Sequence, residues 1–121
     1  MMVKVDMISR NTVIQLEIDD SSQTAKDFLA LLPMKLTMNN WDDREYYGVI
    51  QPLHEDGSKI PTYQNGDVTY YTAGKSLAVF FAKDDRSSQT DLIRIGRVTS
   101  DLNEFRKLGS SVQVTIQSAE S

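Results

Sequence analysis

Thr24-Ala25-Lys26-Asp27-Phe28-Leu29-Ala30-Leu31-Leu32-Pro33 is the clearest helical stretch in a chain whose other apolar residues alternate as strands do. Thr24 is placed to cap the first turn through its hydroxyl, and Asp27 to reach back as in a capping box. Asp27 also stands where the positive end of the helix dipole favours an anion. Ala25, Phe28, Leu29 and Leu32 fall at i, i+3, i+4 and i+7, which makes one apolar stripe. Pro33 lacks an N–H and disfavours helical dihedrals at Leu32, so the expected helix covers 25–32. Burying Phe28, Leu29 and Leu32 is worth about 1.5–3 kcal/mol each in transfer terms. A short helix with one apolar face needs something to plug, and the flanking segments supply the end of a β-barrel.

On the N-terminal side, Val3, Val5 and Met7 alternate with polar residues, as do Ile14, Leu16 and Ile18. The two make a hairpin across Ser9-Arg10-Asn11, with Asn11 expected at positive φ. On the C-terminal side, Met34, Leu36 and Met38 mark a third strand, 39–43 a turn, and 45–51 a fourth strand closed by Pro52. Residues 53–67 carry turn formers and few strand signals, and a loop this long is either functional or a surface cover. Residues 68–72 and 76–82 flank Ala73-Gly74-Lys75 as another hairpin, and 83–91 reads as an exposed charged loop. Leu92, Ile93, Ile95 and Val98 make a seventh strand, with Gly96 marking a bulge or close packing. A second helix is expected over 101–108, capped by Thr99 or Ser100 and stopped by Gly109. Val112, Val114 and Ile116 form the last strand, and 117–121 a frayed tail. Eight strands is the number that closes a barrel just filled by its own side chains.

The 121 residues, 40% of them hydrophobic, suffice for one core, so 1–121 is read as a single domain. A net charge of −4 without a basic run argues against nucleic acid as a partner. The absence of cysteine excludes thiol catalysis, disulfides and Cys-ligated zinc. No apolar run approaches the ~20 residues of a membrane span. The first residues lack the continuous apolar core of a signal peptide, so a cytoplasmic location is expected, unless an export signal was removed upstream.

Both ends resemble the cyclophilin fold. Thr24-Ala25-Lys26-Asp27-Phe28-Leu29-Ala30-Leu31 is similar to the T-A-E-N-F-x-x-L helix that follows the first cyclophilin hairpin. Ile95-Gly96-Arg97-Val98 resembles the F-G-K-V strand that precedes their last helix and strand. Gly66-Asp67-Val68-Thr69-Tyr70-Tyr71 followed by Leu77-Ala78-Val79-Phe80-Phe81 looks like the compact bacterial and archaeal cyclophilin-like family, with its G-D-I-x-Y-Y and N-L-A-I-F-Y. The fold this implies is all-β: a closed eight-stranded barrel capped by two short helices. That family shares the barrel and has no settled function.

The resemblance also locates what is missing. Prolyl-isomerising cyclophilins carry an arginine in a pattern like F-H-R-I-I-P, and Tyr47-Gly48-Val49-Ile50-Gln51-Pro52 puts Val49 there. Leu77 and Val79 stand at the places of their Q-x-F, and Leu92 at that of a histidine. Their loop tryptophan has no counterpart in 83–91. Isomerisation must overcome a barrier of about 18–20 kcal/mol, and a donor aimed at the prolyl nitrogen favours the twisted amide over the planar one. Val49, Leu77, Val79 and Leu92 donate nothing.

The leading expectation is therefore a module that binds a peptide or small ligand at a cleft made by Tyr47, Val49, Leu77, Val79 and Leu92, without efficient isomerase activity and without a cofactor. The rival is a working prolyl isomerase in which Arg44, the weak catalytic candidate, or Arg94 replaces the missing arginine. A third class is an enzyme of other chemistry on the same cleft. Against Arg44 stands the simpler account of an exposed strand-edge charge paired with Asp42, Asp43 or Glu45. Arg94 and Arg97 differ in strand parity and are expected on opposite faces. His54, Glu55 and Asp56 are read as solvated turn residues and not as a metal site. Each adjacent pair Tyr46-Tyr47, Tyr70-Tyr71 and Phe80-Phe81 must send one ring inward and one outward. The outward rings need either a cover, for which Ile60 and Tyr63 are placed, or a groove.

Overall fold

Strict alternation of buried and exposed residues along the first two strands sets the barrel wall. In a computed structural model, which describes residues 1–56, 59–82 and 90–119, β1 is Met2–Ser9 and β2 is Thr12–Asp19. Then follow helix α1 (Gln23–Ala30), β3 (Met34–Trp41), β4 (Glu45–Val49), β5 (Asp67–Tyr71), β6 (Ser76–Phe80) and β7 (Leu92–Val98). A 3₁₀ helix, η1 (Leu102–Lys107), and β8 (Ser111–Ser118) complete the chain. All neighbours are antiparallel, and the order β1-β2-β7-β5-β6-β4-β3-β8 closes on itself, so no strand edge is left open. The eight-stranded all-β barrel with two short helices is the fold the sequence implied. The exposed loop expected over 83–91, with its Asp84-Asp85 pair, lies outside the described residues from 83 to 89, as does the end of the tail from 120. Among the described residues no helix is long and apolar enough to cross a membrane.

The two helices close opposite ends, because α1 leaves the end of β2 while η1 leaves the end of its antiparallel neighbour β7. Phe28 and Ala25 of α1 are fully buried, whereas Leu29 and Leu32 are only partly so. At the other end Phe105 of η1 lies against Tyr46 and Phe81, with centroids 6.0 and 5.2 Å away. The Tyr46 hydroxyl donates to the carbonyls of Leu108 and Gly109, so its polar end is satisfied.

Several local expectations are corrected. Ser22, not Thr24, caps α1, accepting from the Ala25 N–H at 3.1 Å. The Thr24 hydroxyl is taken instead by the loop at His54 and Asp56, and Asp27 by His54 and Gln23, so no capping box forms. Asp101 caps η1, because the Ser100 hydroxyl is engaged by the Gln15 N–H. Arg10, not Asn11, takes the positive φ of the first hairpin (52°). Strand β3 runs on to Trp41, and the turn narrows to Asp42 and Asp43, both at positive φ and closed by Arg44 N–H to Trp41 O.

Arg94 and Arg97 both face outward, against the parity expectation. Val68 pairs with Gly96 and Thr69 with Arg94, so Ile95 is an extra residue on β7 and the alternation shifts by one. Gly96 is also closely packed: a Cβ there would lie 2.2 Å from the Glu17 carbonyl oxygen of β2.

Candidate functional site

Alternate residues of β4, β6 and β5 build the outer face on which the site sits. Tyr46, Tyr70 and Phe81 point into the barrel core, and Tyr47, Tyr71 and Phe80 point out. Half of that outer face is covered by the long loop, as its composition suggested. Tyr63 stacks on Phe80 at 4.1 Å, and the Ile60 N–H donates to the Leu92 carbonyl at 2.9 Å. Lys59 bridges to Ile93, and Lys59 Nζ meets Asp91 at 3.1 Å.

Among the described residues nothing covers the other half. Trp41, Tyr47 and Tyr71 wall a groove of about 270 Å³ over the small residues Ser76 and Ala78, with Arg44 and Glu45 at its inner margin. Trp41 is 54% exposed, and its ring meets Tyr47 edge to face, with centroids 6.3 Å apart and planes at 76°. The floor is low because β6 places only a hydroxymethyl and a methyl group there, and Ser76 and Ala78 are themselves buried beneath the rings.

Arg44 and Glu45 divide the covered half from the open half. The Arg44 guanidinium lies 5.4 Å from the Tyr63 ring centroid and 5.7 Å from that of Phe80, in cation–π range. Its Nε and Nη2 both donate to Glu45 Oε1. Arg44 is therefore paired with Glu45 as the sequence suggested, but buried and not exposed. The turn at Asp42 and Asp43 is what folds it back, and the Phe81 and Ala82 N–H groups grip its carbonyl. Burial pushes the Glu45 carboxyl above its ordinary value, with the Arg44 hydrogen bond and charge opposing.

The residues singled out from the sequence do not line one cleft. Tyr47 and Arg44 reach the groove. Leu77 and Val79 point into the barrel core and are fully buried. Leu92 faces outward but lies under the covering loop with Tyr63 and Phe80. Val49 is 67% exposed at the far end of β4, beside Leu31, Met34 and Leu36. Sequence reasoning missed Trp41, read as a turn residue, and Glu45 as anything beyond a surface charge. The paired aromatics already contained Tyr47 and Tyr71.

Two other polar features frame the site. The loop is strapped to α1 by Asp56, whose carboxylate accepts from the Gln23 and Thr24 N–H groups at 2.9 and 3.0 Å. Beside it the His54 N–H and ring Nδ1 both meet Asp27 Oδ2, at 2.9 and 2.5 Å. The Gln23 side-chain amide and the His54 donors hold the Asp27 carboxyl at about 2, and Asp27 raises His54 above its ordinary value. Among the described residues no three His, Asp or Glu side chains are grouped to hold a metal ion. The second feature is a trench of about 420 Å³ lined by Arg94, Arg97, Asp67 and Asp19, where Arg94 lies 3.6 Å from Asp67. It carries charges of both signs and selects for neither.

Comparison with known proteins agrees with this architecture. The profile of the cyclophilin-like family matches residues 7–117. The solution structure of a hypothetical protein from Archaeoglobus fulgidus superposes with a TM-score of 0.78 at 20% identity, covering 98% of this chain and 95% of that one. At that identity the likeness shows the fold alone. No curated protein matches the chain.

Proposed function

From the premise that the chain belongs to the cyclophilin-like family, we propose that it is a binding module which takes a peptide or small ligand in the Trp41–Tyr47–Tyr71 groove, without efficient prolyl isomerase activity. One observation carries this reading. A single sheet face is half sealed by its own loop, while among the described residues the adjoining half leaves three aromatic side chains around a groove floored by Ser76 and Ala78. Trp41 is exposed and Tyr47 and Tyr71 are half-buried, and an aromatic-lined groove of this kind is characteristic of recognition sites.

Isomerisation by a substitute arginine is the second reading, since Arg44 does border the groove. Its guanidinium is spent on Glu45 and on the Tyr63 and Phe80 rings, so donating to a prolyl nitrogen requires breaking a buried ion pair. That cost falls on the transition state, where catalysis needs a gain. The net charge of −4 favours a peptide or small molecule over nucleic acid, and a cytoplasmic location, checked by fractionation, belongs to the same proposal.

Titration of the labelled protein with a short X-Pro peptide, followed by amide chemical shifts, is the direct test. Shifts at Tyr47, Tyr71 and Ala78 are expected, with no acceleration in a protease-coupled isomerisation assay on the same peptide. An acceleration abolished by Arg44→Lys overturns this reading in favour of catalysis.

A further inference from the structure

The chemistry of the groove wall narrows the ligand class. Two aromatic walls, Trp41 and Tyr47, stand 76° apart in plane, and Tyr71 adds a third ring. The π faces of such rings are negative and attract a cation, whereas their edges are positive. Glu45 lines the same volume, and its side chain is 8% exposed. The two hydrogen bonds that Arg44 gives Glu45 both go to Oε1, and Oε2 accepts none from any described residue.

These facts discriminate among ligands. A carboxylate or phosphate would meet Glu45 and find Arg44 already engaged. A purely apolar group would fill the groove but leave Oε2 shut in without a partner, which is unfavourable for a carboxylate oxygen. A positively charged group satisfies both the rings and the oxygen. Its alkyl substituents would also pack against Ala78 and the ring faces, and the floor of Ser76 and Ala78 leaves room for them. The acidic protein as a whole attracts cations to its surface.

We propose that the groove receives an organic cation, an alkylated ammonium head, carried by a small molecule or by a peptide side chain. This rests on the groove being the ligand site. Trp41 is the only tryptophan in the chain, so its fluorescence reports on the groove directly. The test titrates the protein with choline and with 3,3-dimethylbutan-1-ol, a neutral molecule of the same shape. Choline is expected to perturb the emission with an affinity about tenfold or more above that of the alcohol. A trimethyllysine peptide compared with its norleucine counterpart separates the sources: tighter binding than choline points to a peptide side chain, equal binding to a free cation.

Equal response to choline and the alcohol overturns the cation while leaving the groove in place. No response to either cation source, with shifts from the X-Pro peptide still present, does the same. Silence from every probe removes both the cation and the groove. Glu45→Gln is expected to weaken choline about tenfold without affecting the alcohol. Because Glu45 belongs to a buried pair, Trp41→Leu at the exposed rim serves as the second variant, read by amide shifts. It should weaken choline about tenfold at an unchanged melting temperature, and full choline affinity in that variant refutes the proposal.

Discussion

Tyr63 lies flat on Phe80, the ring centroids 4.1 Å apart and the planes 18° from parallel. This contact, with the Gly66 N–H donating to the Phe80 carbonyl at 2.7 Å, joins the long loop to β6.

Removing the ring should uncover the half of the sheet face that the loop covers. Tyr63 is fully buried, so Tyr63→Ala is expected to cost about 3–5 kcal/mol in urea unfolding, the range for deleting a buried aromatic ring. A cost under about 1 kcal/mol would mean the loop does not seal the face in solution.

The Arg44–Glu45 pair should behave as a unit. Arg44→Met leaves a buried carboxylate without its partner and is expected to destabilise by about 3–5 kcal/mol. Adding Glu45→Leu should recover most of that loss, because an apolar pair needs no compensating charge. Simple additivity of the two single changes in a double-mutant cycle would show that the ion pair is not formed.

The His54–Asp27 contact gives stability a pH window. Asp27 is lowered from 3.8 to about 2, so its contribution is present above about pH 4 and is lost as pH falls toward 2. His54 is raised above 6.5, so its contribution is complete below that pH and is lost as pH rises through the elevated value. The wild type should therefore exceed Asp27→Asn in melting temperature most between about pH 4 and 6.5. The gap should narrow on either side, and a gap independent of pH would contradict the contact.

Gly96 should tolerate no side chain. The Cβ of Gly96→Ala would meet the Glu17 carbonyl at 2.2 Å and Ile18 Cδ1 at 2.8 Å, and the first of these is backbone. Separation of β2 from β7 and a loss of several kcal/mol are expected in thermal melts. Gly109→Ala, whose nearest contact would be Ser111 O at 3.9 Å, serves as the control and should stay within about 0.5 kcal/mol.

What the sequence by itself determined is the wall of the barrel. Alternation at Val5-Met7 and Ile14-Leu16-Ile18, one inward and one outward ring in each aromatic pair, and Ile60 and Tyr63 as cover are all consequences of local period and burial. The family likeness rested on the same local patterns, read at α1 and around Gly96. The tertiary structure decided everything that depended on competition between distant segments. Thr24 was a sound cap until His54 and Asp56 claimed its hydroxyl, and Arg94 and Arg97 alternated until the bulge at Ile95 put both outside. The cleft expected from Val49, Leu77, Val79 and Leu92 dispersed because position in a motif does not fix which face the sheet buries. The groove lies instead where the covering loop stops, and a boundary between two non-local segments leaves no periodic mark in the chain.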